Sequence, residues 1–258
     1  MTGRGATVVD RFRLDGRVVL LTGASSGLGV SCAVGCAEAG ADLVLAARSA
    51  DGIARTAELV GSLGASVLTV PTDVSDPDQA DAAVAAAVER FGRVDVLVNN
   101  AGVSTARPAT RERPDEFRGV LAVNLEGAYW MAQACGRVMS PGSAIVNVSS
   151  VLALTTAGLP QAAYSASKAA LLGLTRDLAR QWGARKGIRV NAVAPGYFAT
   201  DMTSEYDPSY VEQLVGRTVL GRAGDPVELT AAVVWLASDA ASYVSGQTIV
   251  VDGGLTIA

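Results

Sequence analysis

Short apolar segments alternate with longer helical segments along almost the whole chain. The apolar segments are continuous instead of alternating with polar residues, which is typical of parallel strands covered on both faces. The predicted strands are Val18–Thr22, Asp42–Ala46, Ser66–Val70, Val94–Val98, Ala144–Val148, Arg189–Val193 and Thr248–Val251. The predicted helices are Gly27–Ala39, Ile53–Leu63, Pro77–Phe91, Pro114–Met139, Ala162–Arg185 and Pro226–Leu236. This order predicts a doubly wound α/β fold, with a seven-stranded parallel sheet, right-handed crossovers and helices on both faces.

Length and composition limit the class of protein. The 258 residues suit one α/β domain covering residues 1–258, and no linker divides them. Half of the residues are apolar and 18% are charged, which allows a large buried core. The net charge of −4 argues against nucleic acid or an anionic membrane as a partner.

The sequence offers neither a targeting segment nor a metal-binding pattern. No apolar run approaches the roughly 18 residues that cross a bilayer, and Met1 to Arg13 lacks the apolar core of a signal peptide. Cys32, Cys36 and Cys135 form neither an even disulfide framework nor a zinc pattern, and the chain has no histidine. We therefore expect a reduced, cytoplasmic, metal-free protein in which Cys32 and Cys36 are small packing residues.

The least regular region, residues 196–225, connects the sixth strand to the last helix. A compact domain rarely keeps so long a connection unless it covers a site. We therefore expect a substrate lid there, with short helices near Tyr210–Val215. Few basic residues lie near its start, which slightly favours a neutral or apolar substrate over a phosphorylated one. Its large side chains include Tyr197, Phe198, Met202, Tyr206 and Tyr210.

Tyr164 and Lys168 offer an acid–base pair in a chain without histidine. Residues four apart share one face of a helix, so the phenol and the ammonium point the same way. A tyrosine pKa is normally about 10, and lowering it to about 7 requires roughly 4 kcal/mol of preference for phenolate. One ammonium about 4 Å away supplies roughly that much at an effective dielectric of about 20. The pair is therefore predicted to exchange a proton near neutral pH.

A glycine-rich turn, Thr22 to Gly29, follows the first predicted strand and opens the first predicted helix. Glycines at such a place let a pyrophosphate approach the backbone at a helix N-terminus. The segment Gly23–Gly27 also reads as G-x-S-x-G, the nucleophile elbow of serine hydrolases. That interpretation needs a histidine base, which the chain lacks, so we favour nucleotide binding.

With these motifs, the chain resembles the short-chain dehydrogenase/reductase family from Leu14 to Gly254. The resemblance implies a Rossmann fold that binds NAD(P) and moves a hydride between nicotinamide and a secondary alcohol or ketone. The C-terminal half, with PGYFATDM and LGRAGDPVEL, is most similar to sugar-acid or polyol dehydrogenases and acyl-carrier ketoreductases. The motifs, in the family's order, are TGASSGLG at 22–29, Asp73-Val74, Asn99-Asn100-Ala101-Gly102, Asn124, Ser149-Ser150, Tyr164 to Lys168, Pro195-Gly196 with Thr200, and Val251-Asp252-Gly253-Gly254.

The resemblance also implies a catalytic set. Tyr164 would exchange the proton with the substrate oxygen, and Lys168 would lower the pKa of Tyr164 and bind the nicotinamide ribose. Ser150 would hydrogen-bond the substrate oxygen, although the loop between Ser150 and Tyr164 is one residue longer than is usual in the family. Asn124 would extend a proton relay through an ordered water.

Further residues are expected to bind the cofactor by the same resemblance. Asp73 would bond the adenine, although an N-terminal helix cap is the alternative role for this carboxylate. Asn100 would line the adenosine ribose, and Thr200 would hold the carboxamide. The predicted cofactor-binding set is Gly23, Ser25, Ser26, Gly27, Leu28, Gly29, Arg48, Ser49, Asp73, Val74, Asn100, Ala101, Gly102, Tyr164, Lys168, Pro195, Gly196, Phe198 and Thr200.

NADP(H) is predicted in preference to NAD(H). An acidic residue at the end of the second strand normally bonds the ribose hydroxyls of NAD. Ala47 stands at that position here, and Arg48 follows it. A guanidinium binds phosphate oxygens bidentately, and Ser49 adds a hydroxyl donor. Two points oppose the prediction: Arg48 would also suit a solvated strand end, and Ser26 stands where many NADP-preferring relatives carry a basic residue.

Three other functions stay open. They are an epimerase or lyase that uses the cofactor transiently on the same fold, a nucleotide-sensing regulator without turnover, and a methyltransferase on a Rossmann-like sheet. A small-molecule alcohol or carbonyl compound is the expected substrate.

The resemblance implies a homotetramer, with a dimer second. The helices Pro114–Met139 and Ala162–Arg185 would pack against their symmetry mates in a four-helix bundle. The second of them has more apolar surface than one sheet face needs. These apolar residues include Ala163, Ala170, Leu171, Leu174 and Leu178.

Overall fold

All seven strands lie in one parallel sheet. The computed structural model describes residues 7–200 and 206–258. The sheet order is β3-β2-β1-β4-β5-β6-β7. The strands are β1 (Val18–Thr22), β2 (Asp42–Ala47), β3 (Val67–Pro71), β4 (Val96–Asn99), β5 (Ala144–Val148), β6 (Arg189–Pro195) and β7 (Thr248–Val251). The predicted doubly wound fold is confirmed, and the strand order reverses between β1 and β4.

Helices cover both faces of the sheet. They are α1 (Gly27–Glu38), α2 (Ala50–Gly61), α3 (Pro77–Phe91), α4 (Pro114–Leu121), α5 (Gly127–Val138), α6 (Ala162–Lys186), α7 (Pro208–Gly216) and α8 (Pro226–Ala237). Across the two described ranges, none of the helices has both the length and the apolar character needed to cross a bilayer.

Each face of the sheet has its own apolar core, because successive residues of a strand point to opposite faces. In β1, Val19 and Leu21 belong to the core that includes residues of α1, α2 and α8. Val18 and Leu20 belong to the core that includes residues of α3, α5 and α6. This double burial explains why the strands are apolar without alternation. The three cysteines are buried in these cores as free thiols, which agrees with the packing role predicted for Cys32 and Cys36.

Several element boundaries differ from the predicted ones by a few residues. Helix α2 begins at Ala50 instead of Ile53 because the Ser49 hydroxyl caps it, accepting from the Gly52 backbone N–H at 3.1 Å. Strand β6 continues to Pro195, since its pairing with β7 extends that far. The ends of helices and strands are decided by capping hydrogen bonds and by pairing with the neighbouring strand. A local sequence pattern contains neither of these.

The predicted helix Pro114–Met139 is wrong as one continuous α-helix. A π-helical segment, Ala122–Glu126, separates α4 from α5. Such segments are rare inside α-helices and occur frequently at functional sites. Asn124 lies within this one and is almost fully buried.

The predicted site residues lie at the carboxyl ends of the strands. Ligands of open α/β sheets bind in the crevice outside these ends, where the strand order reverses. The glycine-rich turn follows β1, Asn100 follows β4, Ser150 follows β5 and Gly196 follows β6. All of these residues line one cavity.

Candidate active site

The cavity at this edge of the sheet has a volume of about 390 Å³. Every predicted site residue lines it except Asn124, which lies behind its wall. The structure therefore brings the predicted catalytic and cofactor-binding residues into one place. The roles given to them by resemblance stay predictions.

The glycine-rich turn forms the floor of one end of the cavity. Gly23 and Gly27 have positive φ angles of 65° and 54°, a backbone conformation that favours glycine. A side chain on Gly29 would overlap the carbonyl oxygen of Gly23, so only glycine allows this close approach of helix and turn. At the start of α1, Ser26 makes no side-chain capping hydrogen bond. The first N–H groups of α1 therefore fit an anionic phosphate group.

Asn100 ties the end of β4 to this turn. Its side-chain amide donates to the carbonyl oxygens of Thr22 at 3.0 Å and Gly23 at 3.1 Å. The Thr22 hydroxyl accepts from the backbone N–H groups of Asn100 and Ala101 at 3.0 and 3.1 Å. Asn100 lines the cavity, as predicted for a residue near the ribose, but its amide also fixes the shape of the turn.

The residues predicted to select the cofactor lie at the cavity rim. Arg48 is exposed, and Ala47 beside it carries no carboxylate. Ser75 donates two hydrogen bonds to Asp73, from its hydroxyl at 2.7 Å and its backbone N–H at 3.0 Å. These bonds, with a smaller effect from the Arg48 charge, lower the pKa of Asp73. Asp73 is not the cap of α3, because Asp76 has that position.

Tyr164, Lys168 and Ser150 meet at the middle of the cavity. Lys168 Nζ lies 5.7 Å from the centre of the Tyr164 ring and donates to the Val148 carbonyl oxygen at 2.7 Å. Burial raises the pKa of Tyr164 to about 12, opposed by a hydrogen bond with Ser150. Burial lowers the pKa of Lys168 to about 8. The predicted lowering of the tyrosine pKa to about 7 is wrong for these side chains as arranged, because desolvation outweighs the hydrogen bond with Ser150.

Asn124 holds the segment after β4 against Lys168. Its Oδ1 accepts from the Val103 backbone N–H at 2.8 Å, and its Nδ2 donates to the Val103 carbonyl at 2.9 Å and to Ser167 Oγ at 3.0 Å. A Cβ on Gly102 would lie 3.4 Å from both Asn124 Oδ1 and Lys168 Nζ. With these contacts, Asn124 is a positioning residue, and its place in a proton relay stays a prediction.

The segment after β6 closes the other side of the cavity. Gly196 packs so closely against the backbone of Asp252 that an added Cβ would lie 2.7 Å from Asp252 Cα. Thr200 lies against the glycine-rich turn, 3.4 Å from the position of a Cβ on Gly27. The Phe198 ring covers Gly224, where a side chain would overlap it. Met202, another residue of the predicted lid, lies outside the described residues.

Sequence reasoning missed two polar residues near Tyr164. Gln161 Nε2 donates to Ser104 Oγ at 2.8 Å, and both residues line the cavity. Gln161 is the N-cap residue of α6 and precedes Tyr164 by three residues, a short separation that was available in the sequence. Ser104 carried no local signal, since only the fold brings the segment after β4 beside α6.

Comparison with known proteins identifies the family. The model of the family described as Enoyl-(Acyl carrier protein) reductase matches residues 23–256. Over 253 residues, the chain is 43% identical to the galactitol 2-dehydrogenase (L-tagatose-forming) of Cereibacter sphaeroides, covering 95% of this chain and 97% of that protein.

Two solved structures extend the similarity to the fold. A short-chain type dehydrogenase/reductase from Mycobacterium marinum has a TM-score of 0.92 and 33% identity, covering 98% of this chain and 100% of that one. A gluconate 5-dehydrogenase from Burkholderia cenocepacia J2315, in complex with NADP and tartrate, has a TM-score of 0.91 and 38% identity, with the same coverage. This similarity over nearly the whole chain sets aside the regulator and the methyltransferase. The chain belongs to the short-chain dehydrogenase/reductase family, and it is an enzyme that acts on an alcohol with NADP or NAD as its cofactor.

Proposed function

We propose that the protein transfers a hydride between the nicotinamide of NADP(H) and a secondary alcohol or ketone, with Tyr164 as general acid and base. The observation that carries the proposal is that Tyr164, Ser150 and Lys168 line one cavity with the glycine-rich turn. When bound, the nicotinamide supplies the hydride chemistry. The residues of the chain bind and orient the substrate and move the proton.

The protonation of Tyr164 suits ketone reduction. With a pKa raised to about 12, the phenol keeps its proton at neutral pH and donates it to the carbonyl oxygen. The phenol O–H bond breaks as the alcohol O–H bond forms, which leaves a phenolate. The Ser150 hydrogen bond and the Lys168 ammonium both favour that charged form. Alcohol oxidation runs the same transfer in reverse and needs the phenolate at the start.

The rim of the cavity supports a preference for NADP(H). The exposed Arg48 guanidinium lies beside Ala47, at the position where an acid would repel a 2′-phosphate. The Ser49 hydroxyl accepts from Gly52, so its own proton stays available for donation. A relative at 38% identity is in complex with NADP.

Residues 196–225 are proposed to form a lid over the substrate. Helix α7 lies in this segment, as expected near Tyr210–Val215, and Tyr206, Tyr210 and Leu214 line the cavity. The base of the segment is closed by the Gly224 N–H, which donates to the Tyr197 carbonyl oxygen at 3.0 Å.

The test compares Tyr164→Phe with the unchanged enzyme, following nicotinamide absorbance with secondary alcohols and ketones. Tyr164→Phe is expected to lose all but a few per cent of kcat while NADP(H) affinity stays close to normal, because the phenol contributes to the proton transfer and binding is spread over many contacts. Tyr243→Phe is the matched control, since Tyr243 is fully exposed. Substantial kcat in Tyr164→Phe would refute the role of the tyrosine. Product formation without any net absorbance change would indicate the epimerase or lyase instead.

A further inference from the structure

A group of neutral polar side chains lies beside Tyr164, and the proton transfer does not use it. This neutral polar cluster consists of Ser104, Gln161 and Tyr206. Gln161 Nε2 donates to Ser104 Oγ at 2.8 Å and approaches the Tyr206 hydroxyl at 3.4 Å. Gln161 is only 6% exposed, yet all three residues line the cavity. Tyr206 is also close enough to Tyr164 to affect its pKa.

Apolar packing fixes the cluster in place. The rings of Tyr206 and Tyr210 meet edge to face, with centres 5.6 Å apart. The Tyr210 hydroxyl donates to the Ala157 carbonyl oxygen at 2.9 Å, and Tyr210 packs against Val151, Leu214 and Leu255. Packing therefore fixes the positions of the hydrogen-bonding groups of the cluster, and these groups are within reach of a substrate at Tyr164.

The charged residues that line the cavity are engaged elsewhere. Arg48 and Asp73 interact electrostatically at the rim of the cavity, where the cofactor is predicted to bind. Lys168 is beside Tyr164 and donates to Val148. Among the described residues, no further lysine or arginine lines the cavity; Arg217 affects the pKa of Tyr210 without lining it.

We infer that the substrate is an uncharged, hydroxyl-rich compound, either a polyol or a neutral sugar, which Gln161 and its two neighbours position by hydrogen bonds. The inference rests on the proposed function. A hydroxyl group both donates and accepts, as the amide and the hydroxyls of the cluster do. A carboxylate or phosphate placed there would lose water without gaining a cation. An alcohol without further hydroxyls would gain no hydrogen bond from this cluster.

Binding to the Tyr164→Phe variant tests the substrate class without turnover. Calorimetry with the NADP⁺-saturated variant compares galactitol with galactonate, and glucitol with gluconate. Each pair differs mainly in charge. The neutral member of at least one pair is expected to bind at least about tenfold more tightly than its aldonate, because only the aldonate carries an uncompensated charge. The inference would be overturned if an aldonate binds more tightly than its polyol. It would also be overturned if no polyol, aldonate or added neutral sugar binds.

Variants of the cluster test the role of Gln161. Gln161→Leu keeps the size of the side chain and removes the amide. The ratio of kcat/KM for the best polyol to kcat/KM for 2-butanol is expected to fall about tenfold, mostly through KM, which corresponds to one lost neutral hydrogen bond. Ser104→Ala is expected to shift the ratio in the same direction by a smaller factor. Gln181→Leu is the control, since Gln181 is exposed on α6, the helix that Gln161 precedes as its N-cap residue.

The outcomes separate the inference from the proposed function. An unchanged ratio in both Gln161→Leu and Ser104→Ala, with normal melting temperature and NADP⁺ affinity, would overturn the role of the cluster. Preferred turnover of aldonates would overturn the substrate class and leave the oxidoreductase intact. Tight polyol binding without hydride transfer to any alcohol or ketone would instead refute the proposed reaction and leave the substrate class supported.

Discussion

Burial controls the protonation of the catalytic pair more strongly than the spacing of its two residues. Tyr164 and Lys168 share a helix face, as predicted, but Lys168 is buried and Tyr164 is partly buried. Desolvation favours the neutral form of each, so it raises the pKa of the phenol and lowers that of the amine. The Lys168 ammonium points to the Val148 carbonyl oxygen and to the ring of the tyrosine. The sequence shows the spacing of the two residues but not how deeply their side chains are buried.

The buried lysine predicts a defined dependence of stability on pH. The pKa of Lys168 is about 8 when folded and 10.5 in its ordinary state. Between these values the unfolded chain binds more protons, so stability rises with pH, by an amount on the order of 3 kcal/mol. Lys168→Met lacks this titration. The melting temperature of the unchanged protein minus that of Lys168→Met is therefore expected to be flat below pH 8 and to increase up to pH 10.5. A difference that decreases over that range would contradict the assigned burial effect.

Arg48 is predicted to decide the choice between cofactors. In the unchanged enzyme, kcat/KM is expected to favour NADP(H) by about thirtyfold, or roughly 2 kcal/mol, as for a charge-assisted hydrogen bond. Arg48→Ala should lose most of this preference by weakening NADP(H) alone. Arg55→Ala is the matched control, because Arg55 is exposed on α2 and does not line the cavity. Equal efficiency with NAD(H) in the unchanged enzyme, or an unchanged preference in Arg48→Ala, would refute the prediction.

At the scale of elements, the break between α4 and α5 links the sheet to the site. The π-helical segment places the Asn124 side chain against Val103 and Ser167. Gly127, where α5 begins, passes against Val74, and a Cβ there would lie 2.7 Å from Val74 Cγ2 and 2.9 Å from Val74 O. Glycine is a weak helix former, and it is required here by the close approach to Val74.

Gly127→Ala is predicted to destabilise the protein and to weaken cofactor binding. Overpacking against the Val74 backbone should cost about 1–3 kcal/mol of unfolding free energy. Val74 lines the cavity, so its displacement should raise the Kd for NADP(H). Gly61→Ala in α2 is the control, because a Cβ there meets no atom within 4 Å. The control should gain a few tenths of a kcal/mol, up to about 1. Denaturant unfolding measures both variants, and equal stabilities would contradict the prediction.

At the scale of the whole molecule, α6 leaves less apolar surface for a partner subunit than its sequence predicts. Three of the apolar residues that contribute to the predicted surplus, Ala163, Leu171 and Leu178, are buried within the single chain. Ala170 and Leu174 are partly buried, and Leu174 packs against the core around β5 and α5. The surplus apolar surface of α6 is therefore smaller than the sequence indicated. The homotetramer stays a prediction that rests on the family resemblance.

Light scattering at micromolar concentration tests the assembly. A mass near four times the 26.2 kDa of one chain is expected. Gly173→Arg on α6 should reduce that mass, because a Cβ at Gly173 meets no atom within 4 Å in the single chain but would meet the partner helix. Gly61→Arg, at an equally open position on α2, should leave the mass unchanged. A stable monomer in the unchanged protein would exclude the tetramer.

Sequence alone determined the sheet, the order of the helices and most of the cavity wall. These features follow from local causes: strands buried on both faces are apolar throughout, and turns with positive φ or close approach require glycine. The motifs after β1, β4, β5 and β6 converge because the carboxyl ends of parallel strands share one edge of the sheet. The position of Ser150 could thus be predicted without the structure, whereas the place of Tyr164 and Lys168 beside it was implied by the family resemblance.

Tertiary structure alone decided the properties that depend on distant neighbours. The protonation of Tyr164 and Lys168 depends on burial, and the outward surface of α6 depends on which residues the sheet has already covered. The break at Ala122–Glu126 accompanies the contacts of Asn124 with Val103 and Ser167. Gln161 joins Ser104 and Tyr206 only because the fold brings three separate segments together. Desolvation and packing act between segments far apart in the chain, and a local pattern contains neither of them.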